Sequence, residues 1–172
     1  MRPTRLLSLT LVALLVLVAG TATAQEMAQP AHVGLHAGLF DFDLVGDGFA
    51  PMIAGRASLP IASVLMIEGS VLAARPGQDI GTTTFLIPEG QVQLTLPFSN
   101  VTPFIGLGAG AAIDLRDEAE GGTQTWVTFS GSVGIKTWLR DRLGAQVEYR
   151  ARGIGDTGGS SNEFSAGALL RL

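Results

Sequence analysis

Residues 143–150 read Leu143-Gly144-Ala145-Gln146-Val147-Glu148-Tyr149-Arg150. Every odd position is apolar, and every even one is Gly, Gln, Glu or Arg. Side chains on a strand point to alternate faces, so a period of two predicts a β-strand with one apolar and one polar face. Working outward, the tight turn Arg140-Asp141-Arg142 precedes this stretch, and an earlier run with the same alternation precedes the turn. In that run Val127, Phe129, Val133 and Ile135 alternate with Thr128, Ser130, Ser132, Gly134 and Lys136. On the other side, the Gly-rich segment from Gly153 to Asn162 leads into Phe164, Ala166, Ala168, Leu170 and Leu172, set against Ser165, Gly167, Leu169 and Arg171.

The same pattern runs back to His32. Val33, Leu35, Ala37 and Leu39 oppose His32, Gly34, His36 and Gly38. Ile53, Gly55, Ala57 and Leu59 oppose Met52, Ala54, Arg56 and Ser58. Ser63, Leu65, Ile67 and Val71 oppose Val64, Met66, Glu68 and Ser70. Val92, Leu94 and Leu96 oppose Gln91, Gln93 and Thr95, and Ile105 to Ile113 oppose Phe104, Gly106, Gly108 and Gly110. Eight strands of about nine to thirteen residues result, longer than the usual globular mode and long enough to cross a bilayer at a tilt.

Connections alternate in length. Asp41 to Ala50, Leu72 to Gly81, Asp114 to Gln124 and Gly153 to Asn162 are long, whereas the links at Pro60, Pro97 to Thr102 and Arg140 to Arg142 are short. This is an all-β, antiparallel up-and-down meander with two unlike ends, and an even strand count puts both termini at the short-turn end. The last strand runs to Leu172, so it is expected to close on the first strand and leave no bare edge.

Composition removes several classes. The 172 residues contain no cysteine, which excludes disulfide scaffolds and thiolate metal sites. With 47% hydrophobic and 15% charged residues the chain is not disordered. Eleven Lys+Arg against 15 Asp+Glu argue against nucleic acid as a partner. Residues 1–24 read as a secretory signal peptide: Arg2 and Arg5, the apolar run from Leu6 to Ala19, then Ala22-Thr23-Ala24 as the cleavage site. Residues 25–172 form one mature domain without a further apolar run long enough for a membrane helix.

In a soluble lipocalin-like barrel the apolar parity would point inward around a hydrophobic ligand; in an outer-membrane barrel it points out to lipid. The polar parity carries Arg56, Glu68, Lys136, Glu148, Arg150 and Arg171, charges of both signs among many Gly, Ser and Thr. That favours a transmembrane β-barrel whose crowded lumen is closed by an ion-pair network, over the soluble barrel or a narrow solute channel. Phe40, Phe42, Phe98, Trp126, Trp138 and Phe164 fall near strand ends, where interfacial girdles sit.

The signal peptide, Thr102-Pro103-Phe104-Ile105-Gly106-Leu107-Gly108-Ala109-Gly110, Leu143 to Arg150 and the terminal strand Glu163 to Leu172 together resemble the small eight-stranded outer-membrane β-barrel proteins of the OmpA/OmpX-like group. The resemblance covers the whole mature chain. It implies a bacterial outer membrane, a lipid-embedded monomer and a structural or surface-interaction role through the long loops. The chain departs from the group in ending on Leu172 where an aromatic is common.

Other motifs read as structural. His32 and His36 share a strand face but sit about 13 Å apart along it, too far to chelate one ion. Gly106-x-Gly108-x-Gly110 lies within a strand and lacks the helix a dinucleotide loop needs. Counted from Asp41, the fifth and twelfth positions are Val45 and Met52, which defeats a calcium loop. No G-x-S-x-G occurs, and neither histidine is placed beside a serine. The expectation is a non-enzymatic barrel with no metal and no cofactor.

Overall fold

The computed structural model describes residues 29–42, 49–75, 84–96, 98, 100–115, 122–155 and 159–172. The expected leader over residues 1–24 and most of the long connections lie outside the described residues. Among those described there are eight strands and no helix. They are β1 (His32–Phe42), β2 (Phe49–Pro60), β3 (Leu65–Ala74), β4 (Thr84–Thr95), β5 (Val101–Leu115), β6 (Gln124–Trp138), β7 (Leu143–Ile154) and β8 (Gly159–Arg171).

Each strand pairs antiparallel with its sequence neighbours, and β8 closes on β1, giving a closed barrel in simple order. Closure satisfies the edge that the sequence left open. The register can be followed once round the wall, from His32 through Ser58, Glu68, Gln91, Gly108, Ser130, Arg152 and Ser161 to Phe42. The path starts at residue 32 of β1 and returns at residue 42, a shear of ten. With eight strands that shear corresponds to a tilt of roughly 40°, and the ten-residue climb spans about 25 Å of axis. An outer-membrane barrel needs an apolar band of about that height.

The wall is inverted relative to a soluble protein. Leu107 is 76% exposed, Leu35 69% and Phe129 68%, while Arg150, Glu163 and Lys136 are fully buried. This excludes the soluble barrel as a fold, because its apolar parity would be the buried one.

Several sequence expectations are corrected. Strands run ten to fifteen residues, longer than the nine to thirteen expected. β3 begins at Leu65, because Ser63 and Val64 belong to the preceding bend. β4 begins at Thr84, well before the alternation at Gln91. Its ladder to β5 lapses between Leu86↔Ile113 and Glu89↔Gly110, where Pro88 has no N–H to give. The aromatic girdle holds only in part. Phe98 and Phe164 are exposed on the outer face, but Phe40 is fully buried in the lumen. Trp126 packs on an interior apolar cluster, and Trp138 meets His32 edge-on inside the other end. Their parity, and not their closeness to a strand end, decides the side. The Phe42 side chain lies outside the described residues.

Two glycines show how tight the interior is. A Cβ on Gly106 would fall on the Gln91 amide, and one on Gly38 would strike the Phe164 carbonyl. Gly69 and Gly90, on the outer face, would meet nothing within 4 Å.

Candidate functional site

Among the described residues the titratable side chains converge in the lumen, which is built in three layers. Toward the long-loop end it is mainly apolar, with Asp114 and Thr128 buried beside the apolar side chains. Phe40, Met52, Leu72, Phe85, Ile87 and Ile154 form a buried cluster with Trp126 packed against it. The sequence reading placed polar side chains along the whole interior. The structure corrects that, because inward positions of β1 to β4 turn apolar in their long-loop halves.

The middle layer is charged. Arg56 on β2 donates through Nη1 to Glu148 Oε2 on β7, and through Nη2 to Glu163 Oε1 on β8 at 2.5 Å. Arg150 donates through Nε to Glu148 Oε1 at 2.8 Å and through Nη1 to Glu89 Oε1 on β4 at 2.5 Å. Arg152 donates through Nε to Glu89 Oε2 at 2.9 Å and through Nη2 to Glu163 Oε2 at 2.8 Å. The order Arg56–Glu148–Arg150–Glu89–Arg152–Glu163 returns to Arg56, so six charges of alternating sign form a closed ring. Glu68 on β3 adds a spoke. Its Oε1 lies 3.0 Å from Arg150 Nη2 and 3.8 Å from Arg56 Nη1. Its Oε2 accepts from Ser58 at 3.1 Å and Gln93 at 3.0 Å.

The ring and spoke hold three guanidinium groups against four carboxylates. Lys136 supplies the fourth positive charge indirectly. Its Nζ donates to Gln93 Oε1 at 2.6 Å, and Gln93 in turn donates to Glu68. Lys136 also sits 4.8 Å above the Phe104 ring and 3.9 Å from Met66 Sδ. Every one of these charges is buried, and charges taken from water persist only when paired and hydrogen-bonded on most sides.

The third layer closes the short-turn end. Arg171 stacks on Trp138 at 4.6 Å, and Trp138 meets the His32 ring at 5.7 Å. His32 Nδ1 lies 2.9 Å from the Pro30 carbonyl. His36 is buried with neither ring nitrogen hydrogen-bonded among the described residues.

Of the six charges singled out from sequence, Arg56, Glu68, Glu148 and Arg150 meet in direct ion pairs. Lys136 joins through an amide, and Arg171 lies apart at the mouth, with no carboxylate partner among the described residues. Glu89, Arg152 and Glu163 were missed. Each lies two positions beyond a stretch already read as alternating, on the same inward parity, so extending those strands by one repeat would have found them. Among the described residues no group of His, Asp and Glu is placed to hold a metal ion.

A closed eight-stranded wall with an apolar outer face and a charged, filled lumen defines the class of small outer-membrane barrels. The chain belongs to the outer membrane protein beta-barrel domain family, whose model matches residues 10–171. It is accordingly a bacterial outer-membrane protein. No curated protein sequence matches it. Among solved structures it is similar to Neisserial surface protein A, at 14% identity, covering 83% of this chain and 97% of that one with a TM-score of 0.71. It is also similar to the N-terminal β-barrel domain of Pseudomonas aeruginosa OprF, at 11% identity, covering 81% and 97% with a TM-score of 0.56. The outer membrane enzyme PagL matches at 13% identity, covering 83% and 100% with a TM-score of 0.53. At these identities the likeness is one of fold.

Proposed function

We propose that the protein is a monomeric, sealed outer-membrane barrel with a structural or surface-interaction role, carried to the envelope by a signal peptide over residues 1–24 and active through its long loops. The observation that carries the reading is the closed charge ring lying beneath an apolar cluster. An ion entering from the loop end would first have to cross a mainly apolar layer, in which Asp114 and Thr128 are buried level with Phe85 and Ile154, and then displace paired charges. Both barriers argue against the narrow-channel alternative.

The histidines argue against a hydrolase that would use a histidine base on lipid at the outer face. The chain has only two, and both are buried in the lumen, so neither is offered to lipid as a general base on the outer face. A second similar barrel, Ail of Yersinia pestis, is known in complex with the heparin analogue sucrose octasulfate. The long connections between the strands carry seven acidic residues and two arginines, a poor match for a polyanion. A cationic or neutral surface partner fits better.

Planar-bilayer recording tests the sealed lumen. Purified protein is expected to leave the membrane electrically silent. Large, stable unitary openings from the unmodified barrel would defeat the proposal.

A further inference from the structure

The short-turn rim carries positive charge that the lumen ring does not use. The β6–β7 turn reads Leu139-Arg140-Asp141-Arg142-Leu143, and all five residues are exposed. Neither Arg140 nor Arg142 has a side-chain hydrogen bond or ion pair among the described residues. The Arg171 backbone N–H donates to the Arg142 carbonyl at 2.9 Å, which holds the end of β8 against this turn. The Arg171 guanidinium stacks on Trp138, and among the described residues neither the Arg171 Nε–H nor the Trp138 Nε1–H has an acceptor. Among the described side chains, three guanidinium groups therefore share this end of the barrel with one carboxylate, that of Asp141.

The same turn is apolar on its flanks. Leu139 is 70% exposed, Leu143 is exposed beside it, and Leu172 follows Arg171. Arginines at the level where the lipid-facing belt ends, bordered by leucines, match a molecule with an anionic phosphate and acyl chains. Guanidinium groups bind phosphate oxygens in pairs, and basic residues near a membrane surface attract anionic headgroups.

We propose that the β6–β7 turn and the end of β8 form a headgroup site for an anionic phospholipid of the inner leaflet, with Arg140 and Arg142 on the phosphate and Leu139 and Leu143 against the chains. Trp138 lies at the edge of this site and Trp126 at the opposite end of the lumen, and the chain has no other tryptophan. The Trp126→Phe variant of the full protein, in a maltoside detergent, thus reports on the site through Trp138 emission.

Titration with dihexanoyl phosphatidylglycerol is expected to give a saturable emission shift, and dihexanoyl phosphatidylcholine none. Each arginine near the surface contributes about five-fold in affinity. Arg140→Gln with Arg142→Gln should therefore raise the half-saturation about 30-fold, while the paired Lys variants keep most of the response. No response to phosphatidylglycerol, an equal response to phosphatidylcholine, or an unchanged half-saturation in the Gln pair overturns the proposal. Inorganic phosphate that binds as well as the lipid would assign a free-anion site and overturn the lipid. Should Trp126→Phe fail to fold, native mass spectrometry of the Trp126 protein decides: phosphatidylglycerol retained by the parent must be lost from the Gln pair.

Discussion

Replacing Arg150 by Met removes the best-connected charge while keeping an unbranched side chain in its space. Arg150 contacts Glu148 at 2.7 Å, Glu89 at 2.5 Å and Glu68 at 3.0 Å, and all four groups are fully or almost fully buried. Without it, Glu148 keeps Arg56 and Glu89 keeps Arg152, so the ring opens at one point. Glu68 fares worst, since its remaining guanidinium is 3.8 Å away. One buried carboxylate is thereby left nearly uncompensated. Deleting one partner of a buried pair costs roughly 3–5 kcal/mol, against about 0.2–1 for an exposed pair. The expected loss is about 4 kcal/mol, close to three decades in the folded-to-unfolded ratio. Urea unfolding from lipid vesicles, followed by tryptophan emission, measures it. The double variant Arg150→Met with Glu68→Gln should recover about 1–3 kcal/mol of that loss, because the stranded charge is gone. A loss below about 1 kcal/mol would show a water-filled lumen with solvated pairs, and the sealed barrel would be refuted.

Three further outcomes follow from particular contacts. Gly106→Ala should destabilise by about 1–3 kcal/mol through the clash with Gln91, whereas Gly69→Ala on the lipid face should be near neutral in the same unfolding assay. Lys136→Met should cost less than Arg150→Met, because Lys136 touches no carboxylate among the described residues and its neighbours Met66 and Phe104 accept an apolar replacement; equal losses would mean that Lys136 is central to the network. Intact mass of the protein from cell envelopes should correspond to a chain starting at Gln25, and retention of residues 1–24 would refute the assigned cleavage.

The strands and their order were legible because lipid and lumen demand opposite chemistry at successive residues. Leu143 to Arg150 shows this without exception. The signal fades where the lumen itself turns apolar, since both parities are then hydrophobic. Leu72-Ala73-Ala74 and Phe85-Leu86-Ile87 carry no alternation, yet the first and last of each trio face inward. β3 was accordingly read as ending at Val71 and β4 as starting at Gln91, and Glu89 was lost with the missing half of β4. Arg152 was hidden differently, beside glycines that mark a loop where both strands continue, while Glu163 opens the terminal strand as read and was left out of the charge set. The ring itself was beyond sequence reasoning. Its members pair across the lumen, and which residues share a height depends on a shear that only the register of all eight strands defines.

Arg56 lies on β2 and Glu163 on β8, with β1 between them. Their ion pair therefore passes over the first strand and ties its two neighbours together from within. The junction of β1 with β8 joins the two ends of the chain, and in a meander no hairpin pulls it shut. A latch across that junction can engage only after the cylinder has closed. Once engaged, prising the first strand from the last means exposing a buried guanidinium to hydrocarbon. The wall is thus weakest against unzipping before closure and strongest afterwards, which favours a finished barrel over a half-open sheet in the membrane.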